Sequence, residues 1–196
     1  SENTRNPGYR NQLANILSRI GEFARARELY EELIKEYPAN ANIWLCYGHV
    51  LKTEGRQEEC IAAYRRSAAL EARAGEAYWS LANLKTFRFS DDEVAAMETQ
   101  IKGGDLEQDA LVHFCFALGK DCEDRREYDR AFEFYDRANR TQRMRIEYDP
   151  VQTQIEHDEI IRVFTPDLFE RCKDQGHPDP APILIVGLPR SGSTLI

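Results

Sequence analysis

No apolar run in this sequence is long enough to cross a bilayer, which takes about 20 consecutive apolar residues. The opening stretch SENTRNPGYR also has no apolar core of a secretory leader. An excess of positive charge is missing too. Lys and Arg number 26 against 34 Asp and Glu, a formal charge of -8. A surface that tracks nucleic acid or anionic lipid needs clustered cations, so neither is an expected partner. Any anionic ligand must be caught by a local device. The five cysteines, Cys46, Cys60, Cys115, Cys122 and Cys172, form no CxxC pair, which suits buried thiols in a reducing cytoplasm. The four histidines, His49, His113, His157 and His177, show no ligand spacing, and no metal is assigned.

What is present is self-similarity. Shifted by 34 residues, Leu13 meets Tyr47 and Leu81, Ala14 meets Gly48 and Ala82, and Leu17 meets Leu51. Gly21 likewise meets Gly55, Ala26 meets Cys60, Tyr30 meets Tyr64, and Trp44 meets Tyr78. Such a period predicts stacked helical hairpins. Small residues allow the helices of a hairpin to approach, Ala14 facing Ala26 and Gly48 facing Cys60. The larger Leu17, Tyr30, Leu51 and Tyr64 fill the gaps between hairpins. Gly21 and Gly55 end the first helix of each pair, where a left-handed residue is cheap for glycine.

Units are expected near 7–40, 41–74, 75–111 and 112–148. The third keeps a first helix (EAYWSLANLKTF) and then departs: Ser90 to Glu93 is a capping box, Gly103-Gly104 breaks that helix near Lys102, and Asp105 with Gln108 caps the next. The fourth returns out of phase, with Gly119, Ala131, Tyr135 and Ala138 repeating the spacing of Ala14, Ala26, Tyr30 and Leu33. Linker helices follow over 149–181. Asp149 caps one from about Pro150 to Phe164; Thr165 and Pro166 open another, stopped by Gly176.

The spacing resembles the tetratricopeptide repeat. The resemblance implies an all-α, right-handed helical-hairpin superhelix whose inner wall is lined by first helices. Periodicity puts Asn11, Asn15, Leu45, His49, Lys52, Trp79, Asn83, Phe116 and Lys120 on that wall. It is a groove for a protein or peptide, with side-chain amides on its backbone and Trp79 or Phe116 on an apolar anchor. Repeat modules that clamp C-terminal carboxylates carry Lys and Arg where this third helix has Trp79 and Asn83, so that specialisation is not expected.

The chain closes on PILIVGLPRSGSTLI, residues 182–196. The run Ile183 to Val186 reads as a buried parallel strand. Strand, glycine-bounded loop and incipient helix are the layout of a phosphate cradle. Gly187 and Gly192 have the separation of a nucleotide-triphosphatase loop, but Ser193 replaces its lysine. The charge has moved to Arg190, whose planar fork suits phosphate oxygens.

GLPRSGSTL resembles the 5′-phosphosulfate loop of sulfotransferases that use 3′-phosphoadenosine 5′-phosphosulfate (PAPS). The loop is also similar to that of the protein-tyrosine sulfotransferases, and together with the repeats it is similar to bacterial TPR-sulfotransferases. The resemblance implies sulfuryl transfer to a hydroxyl or amine. Arg190 would neutralise transition-state charge, and Arg190, Ser191, Gly192, Ser193 and Thr194 would bind the donor. The family's general base, 3′-phosphate site and acceptor pocket would lie beyond Ile196. The 196-residue chain is therefore expected to be inactive and without bound donor. The alternative is a non-enzymatic repeat scaffold with a structural terminal loop.

Overall fold

A computed structural model describes residues 6–173 and 175. Every regular element among them is a helix. Residues 182–196, with the expected strand and phosphate loop, lie outside the described residues, as does Gly176. Contacts divide the chain into two compact units, Ser1–Glu147 and Tyr148–Ile196.

The first unit holds α1 (Pro7–Arg19), α2 (Phe23–Glu36), α3 (Ala41–Thr53), α4 (Gln57–Leu70), α5 (Glu76–Ala82), α6 (Asp91–Gly103), α7 (Gln108–Asp124) and α8 (Tyr128–Arg143). The pairs α1–α2, α3–α4 and α7–α8 are closely packed hairpins. Each turns by the same device. The N–H groups of Glu22, Arg56 and Glu127 donate to the carbonyls of Leu17, Leu51 and Cys122 at 2.9, 2.9 and 2.8 Å. One residue earlier, Gly21, Gly55 and Arg126 sit at φ 87°, 77° and 65°. This is a Schellman closure, in which a left-handed residue lets two orphan carbonyls find donors. The sequence marks two of the three with glycine; the third is an arginine.

Two large side chains show why the period is what it is. Tyr30 and Tyr64 are fully buried at the same register of α2 and α4. Burial of such a side chain contributes about 1.5–3 kcal/mol. The partner expected for Gly48 was Cys60, but the atoms a Cβ at 48 would meet belong to the Tyr64 ring, the nearest at 2.5 Å. Gly119 stands in the same relation to Tyr135, also at 2.5 Å. The glycine makes room for an aromatic ring rather than for a second small residue.

The third unit departs earlier than its sequence suggests. The helix α5 ends at Ala82, short of the expected Phe87. Phe87 and Phe89 then stack edge to face at 4.9 Å and are buried. The helix α5 packs on α4 and α7 rather than on α6. The capping box of α6 is present: the Glu93 N–H donates to Ser90 Oγ, and the Ser90 N–H donates to Glu93 Oε2 at 2.9 Å. Gly104, at φ 74°, ends that helix. The expected Asp105 cap of α7 is not formed. Glu107 holds the cap position without a side-chain bond, and Asp105 instead receives Arg73 at 3.2 Å.

The second unit contributes α9 (Pro150–Val163) and α10 (Pro166–Cys172). Asp149 caps α9 through the Val151 N–H at 2.8 Å, and Thr165 caps α10 through the Leu168 N–H at 3.4 Å. None of its described residues is buried.

Candidate functional site

The first helices of the hairpins carry the wall read from periodicity, and each candidate there now has surroundings. Leu45 is a correction: it is 8% exposed and part of the core, because α3 turns that side toward α4 and α5. Asn15 is exposed but accepts the Tyr30 hydroxyl at 2.8 Å. One unit on, Nδ1 of His49 shares a hydrogen bond of 2.8 Å with the Tyr64 hydroxyl. In the fourth unit Tyr135 turns its hydroxyl to Glu123, at 2.9 Å, in place of Lys120. The tyrosine that fills each hairpin thus also anchors a polar group of the first helix. Burial pushes all three phenols well above their ordinary value, so they remain donors throughout the physiological range.

Asn11 is half-buried, and its Oδ1 has no hydrogen-bond partner among the described residues. Lys52 and Asn83 line one cavity of about 330 Å³ with Gln57, Lys85 and Thr86. Asn83 spends one amide N–H on the Trp79 carbonyl at 3.0 Å. Lys120 is tied to Asp124, which also takes Arg88 at 3.2 Å.

Trp79 and Phe116 come together. Their ring centroids are 5.2 Å apart with planes at 37°, and Phe116 continues to Tyr135 at 6.2 Å. Both Trp79 and Phe116 are only partly buried. A tilted aromatic pair that keeps accessible surface is an anchor point of the sort that dominates recognition energetics.

One turn N-terminal to this pair lies a cleft of about 450 Å³ between α5 and α7, lined by Glu71, Arg73, Gly75, Glu76, Glu107, Asp109 and His113 among others. Its floor is close backbone: a Cβ on Gly75 would meet the Ala110 carbonyl oxygen at 2.6 Å. Nε2 of His49 stands 3.9 Å from Glu76. The His49 imidazole beside it outweighs burial and holds the Glu76 carboxyl below its ordinary value. Sequence reasoning passed over Glu76 and His113, although each sits three residues before an aromatic it singled out. That i, i+3 spacing was the available signal.

Among the described residues no group of three or more His, Cys, Asp or Glu could hold a metal ion. None of their helices is long and apolar enough to cross a membrane. Arg190, Ser191, Gly192, Ser193 and Thr194 lie outside the described residues.

The first unit is a solenoid of tetratricopeptide-type hairpins, all-α among its described residues. Residues 7–50 match the tetratricopeptide repeat family. The chain is similar to two crystal structures of MamA. In one, 74% of this chain superposes on 83% of the other at 19% identity with a TM-score of 0.53. In the second, 76% superposes on 82% at 18% identity with a TM-score of 0.52. The likeness concerns the fold. An uncharacterised protein of Aquifex aeolicus (strain VF5) is 29% identical over 189 residues. The match takes in 96% of this chain, which spans about a quarter (24%) of that relative's length.

Proposed function

We propose that the first unit is a protein-interaction module that holds an extended segment of a partner along the wall of first helices. The observation that carries this reading is the accessible Trp79–Phe116 pair, flanked by the polar groups of His49, Asn83 and Lys120. An extended peptide offers a backbone N–H and carbonyl at every residue. His49, held by the buried Tyr64, loses little entropy in meeting them. The repeat match and the solenoid fold support a scaffold role. The five cysteines, all free thiols, accord with a cytoplasmic site of action.

Trp79 supplies the readout. A peptide library titrated against the chain should yield ligands that shift tryptophan emission. Phe116→Ala should weaken them at least tenfold while leaving the circular dichroism spectrum unchanged. Ligands that bind equally to the Phe116 variant would remove the wall from recognition.

A second reading has its own observation, the sequence GLPRSGSTL at 187–195. We propose that the whole protein is a PAPS-dependent sulfotransferase whose repeats recruit or orient the acceptor. Arg190 and the amides and hydroxyls of 191–194 would take the 5′-phosphosulfate. Positioning and electrostatics would carry most of the catalysis, as in phosphoryl transfer. Calorimetry with 3′-phosphoadenosine 5′-phosphate tests this. The 196-residue chain should bind no tighter than millimolar, and the longer protein should bind at micromolar. Arg190→Ala in the longer protein should lower sulfuryl transfer by orders of magnitude. A longer protein indifferent to the nucleotide leaves the scaffold reading alone.

A further inference from the structure

The α5–α7 cleft is chemically lopsided. Four carboxylates line it (Glu71, Glu76, Glu107 and Asp109) against one guanidinium, Arg73, a formal balance of -3 with His113 neutral. Its one cation is already engaged, since Arg73 reaches out to Asp105 at 3.2 Å. Asp109 is held by Arg145 and Glu76 by His49. No ion pair is formed by Glu71 or Glu107 among the described residues, and both are exposed. The cleft, at about 450 Å³, falls within the ~300–1,000 Å³ span of ligand pockets. Along the same helix pair, one turn further, it gives way to Trp79 and Phe116.

We infer that this cleft and the aromatic pair form one bipartite subsite for a basic peptide: an arginine in the acidic end, and an aromatic or large apolar side chain on Trp79–Phe116. The inference rests on the peptide-binding reading above and names the class of peptide. Three helical residues advance about 4.5 Å, from Glu76 to Trp79 and from His113 to Phe116. An extended chain places side chains i and i+2 on one face about 6.6 Å apart. An Arg-x-aromatic segment therefore spans the two halves with one intervening residue turned outward. Arginine suits the acidic end better than lysine, because its planar fork meets two carboxylates at once. The overall charge of -8 draws such a segment in from a distance.

The test uses three fluorescein-labelled peptides of one length on the 196-residue chain, containing Arg-Ser-Phe, Glu-Ser-Phe or Arg-Ser-Ser, read by anisotropy. Arg-Ser-Phe should bind at least tenfold more tightly than either counterpart, and more weakly as salt is raised. The exposed pair Glu76→Gln with Glu107→Gln, which leaves the core intact, should cut that affinity five- to tenfold and flatten the salt dependence. Equal binding of the Glu-Ser-Phe peptide, or an unchanged constant in the double variant, overturns the bipartite subsite. In that case library ligands that still depend on Phe116 keep the general groove reading alive. If neither these peptides nor the library bind, both readings go.

Discussion

Gly48 and Tyr64 are packed so closely that a Cβ at position 48 would stand 2.5 Å from Cε1 of the ring. The ring is fully buried and its hydroxyl is held by His49, so it has nowhere to retreat. Overpacking of a well-filled core costs about 1–3 kcal/mol. The better helix propensity of alanine returns about 0.8–1 kcal/mol. Gly48→Ala is therefore expected to destabilise by up to about 2 kcal/mol in chemical denaturation. Gly119→Ala against Tyr135 should behave alike. A stabilised Gly48 variant would mean the α3–α4 hairpin opens freely.

Arg126 occupies the register of Gly21 and Gly55 with φ 65°. Left-handed backbone strains a residue with a Cβ by about 1–2 kcal/mol, partly offset by the extra freedom of glycine in the unfolded chain. Arg126→Gly should therefore raise stability by about 0.5–1 kcal/mol, seen as a melting temperature higher by about 1–4 °C. Gly21→Ala and Gly55→Ala should lower it. An unaltered melting temperature in all three would discount the closure as a source of strain.

Ile16 and Val50 are one period apart, yet Ile16 is 55% exposed and Val50 only 1%. The hairpin α1–α2 covers α3, whereas among the described residues no helix precedes α1. Val50→Ala should cost about 1–2.5 kcal/mol through lost burial and the cavity left behind. Ile16→Ser should stay within about 0.5 kcal/mol, as exposed positions do. Equal losses at the two sites would show that Ile16 is covered in solution.

Glu93 joins a cap to an ion pair. Burial works to raise its carboxyl, but Arg65, 2.8 Å away, and the Ser90 N–H and hydroxyl outweigh it. The group therefore sits below its ordinary value near 4.5. A depressed carboxyl stabilises the fold above the unfolded value, and the contribution fades as pH drops through the folded one. Urea midpoints measured from pH 6 to pH 3 should fall less steeply for Glu93→Gln than for the parent chain. A residual slope remains from Glu76 and Glu98, which are also lowered. Ser90→Ala should separately cost about 1 kcal/mol at neutral pH. Parallel pH profiles for parent and Glu93→Gln would show that the pair adds nothing to acid stability.

Much of the repeat was legible because its signals are local. A glycine where a helix closes and a Ser-x-x-Glu at a helix start each act within a few residues, and the 34-residue period shows only because such local signals recur. Those signals marked the closures at Gly21 and Gly55 and the caps at Ser90, Asp149 and Thr165. The closure at Arg126 was invisible because its residue type argues against the backbone it adopts. The left-handed φ and the shared hydrogen bonds to Leu17, Leu51 and Cys122 reveal it.

What sequence alone determined here is the class of structure: helical hairpins, their period, and which residues are large or small at each register. Tertiary packing decided the rest, since it depends on distances between residues far apart in the chain. Tyr64 selected Gly48. Phe87 and Phe89 pair and bury their rings beyond the early end of α5. The meeting of α5 with α7 set Trp79 on Phe116 and gathered Glu71, Glu76 and Glu107 around one cleft, because helices that bury their apolar sides together must also bring their polar edges together.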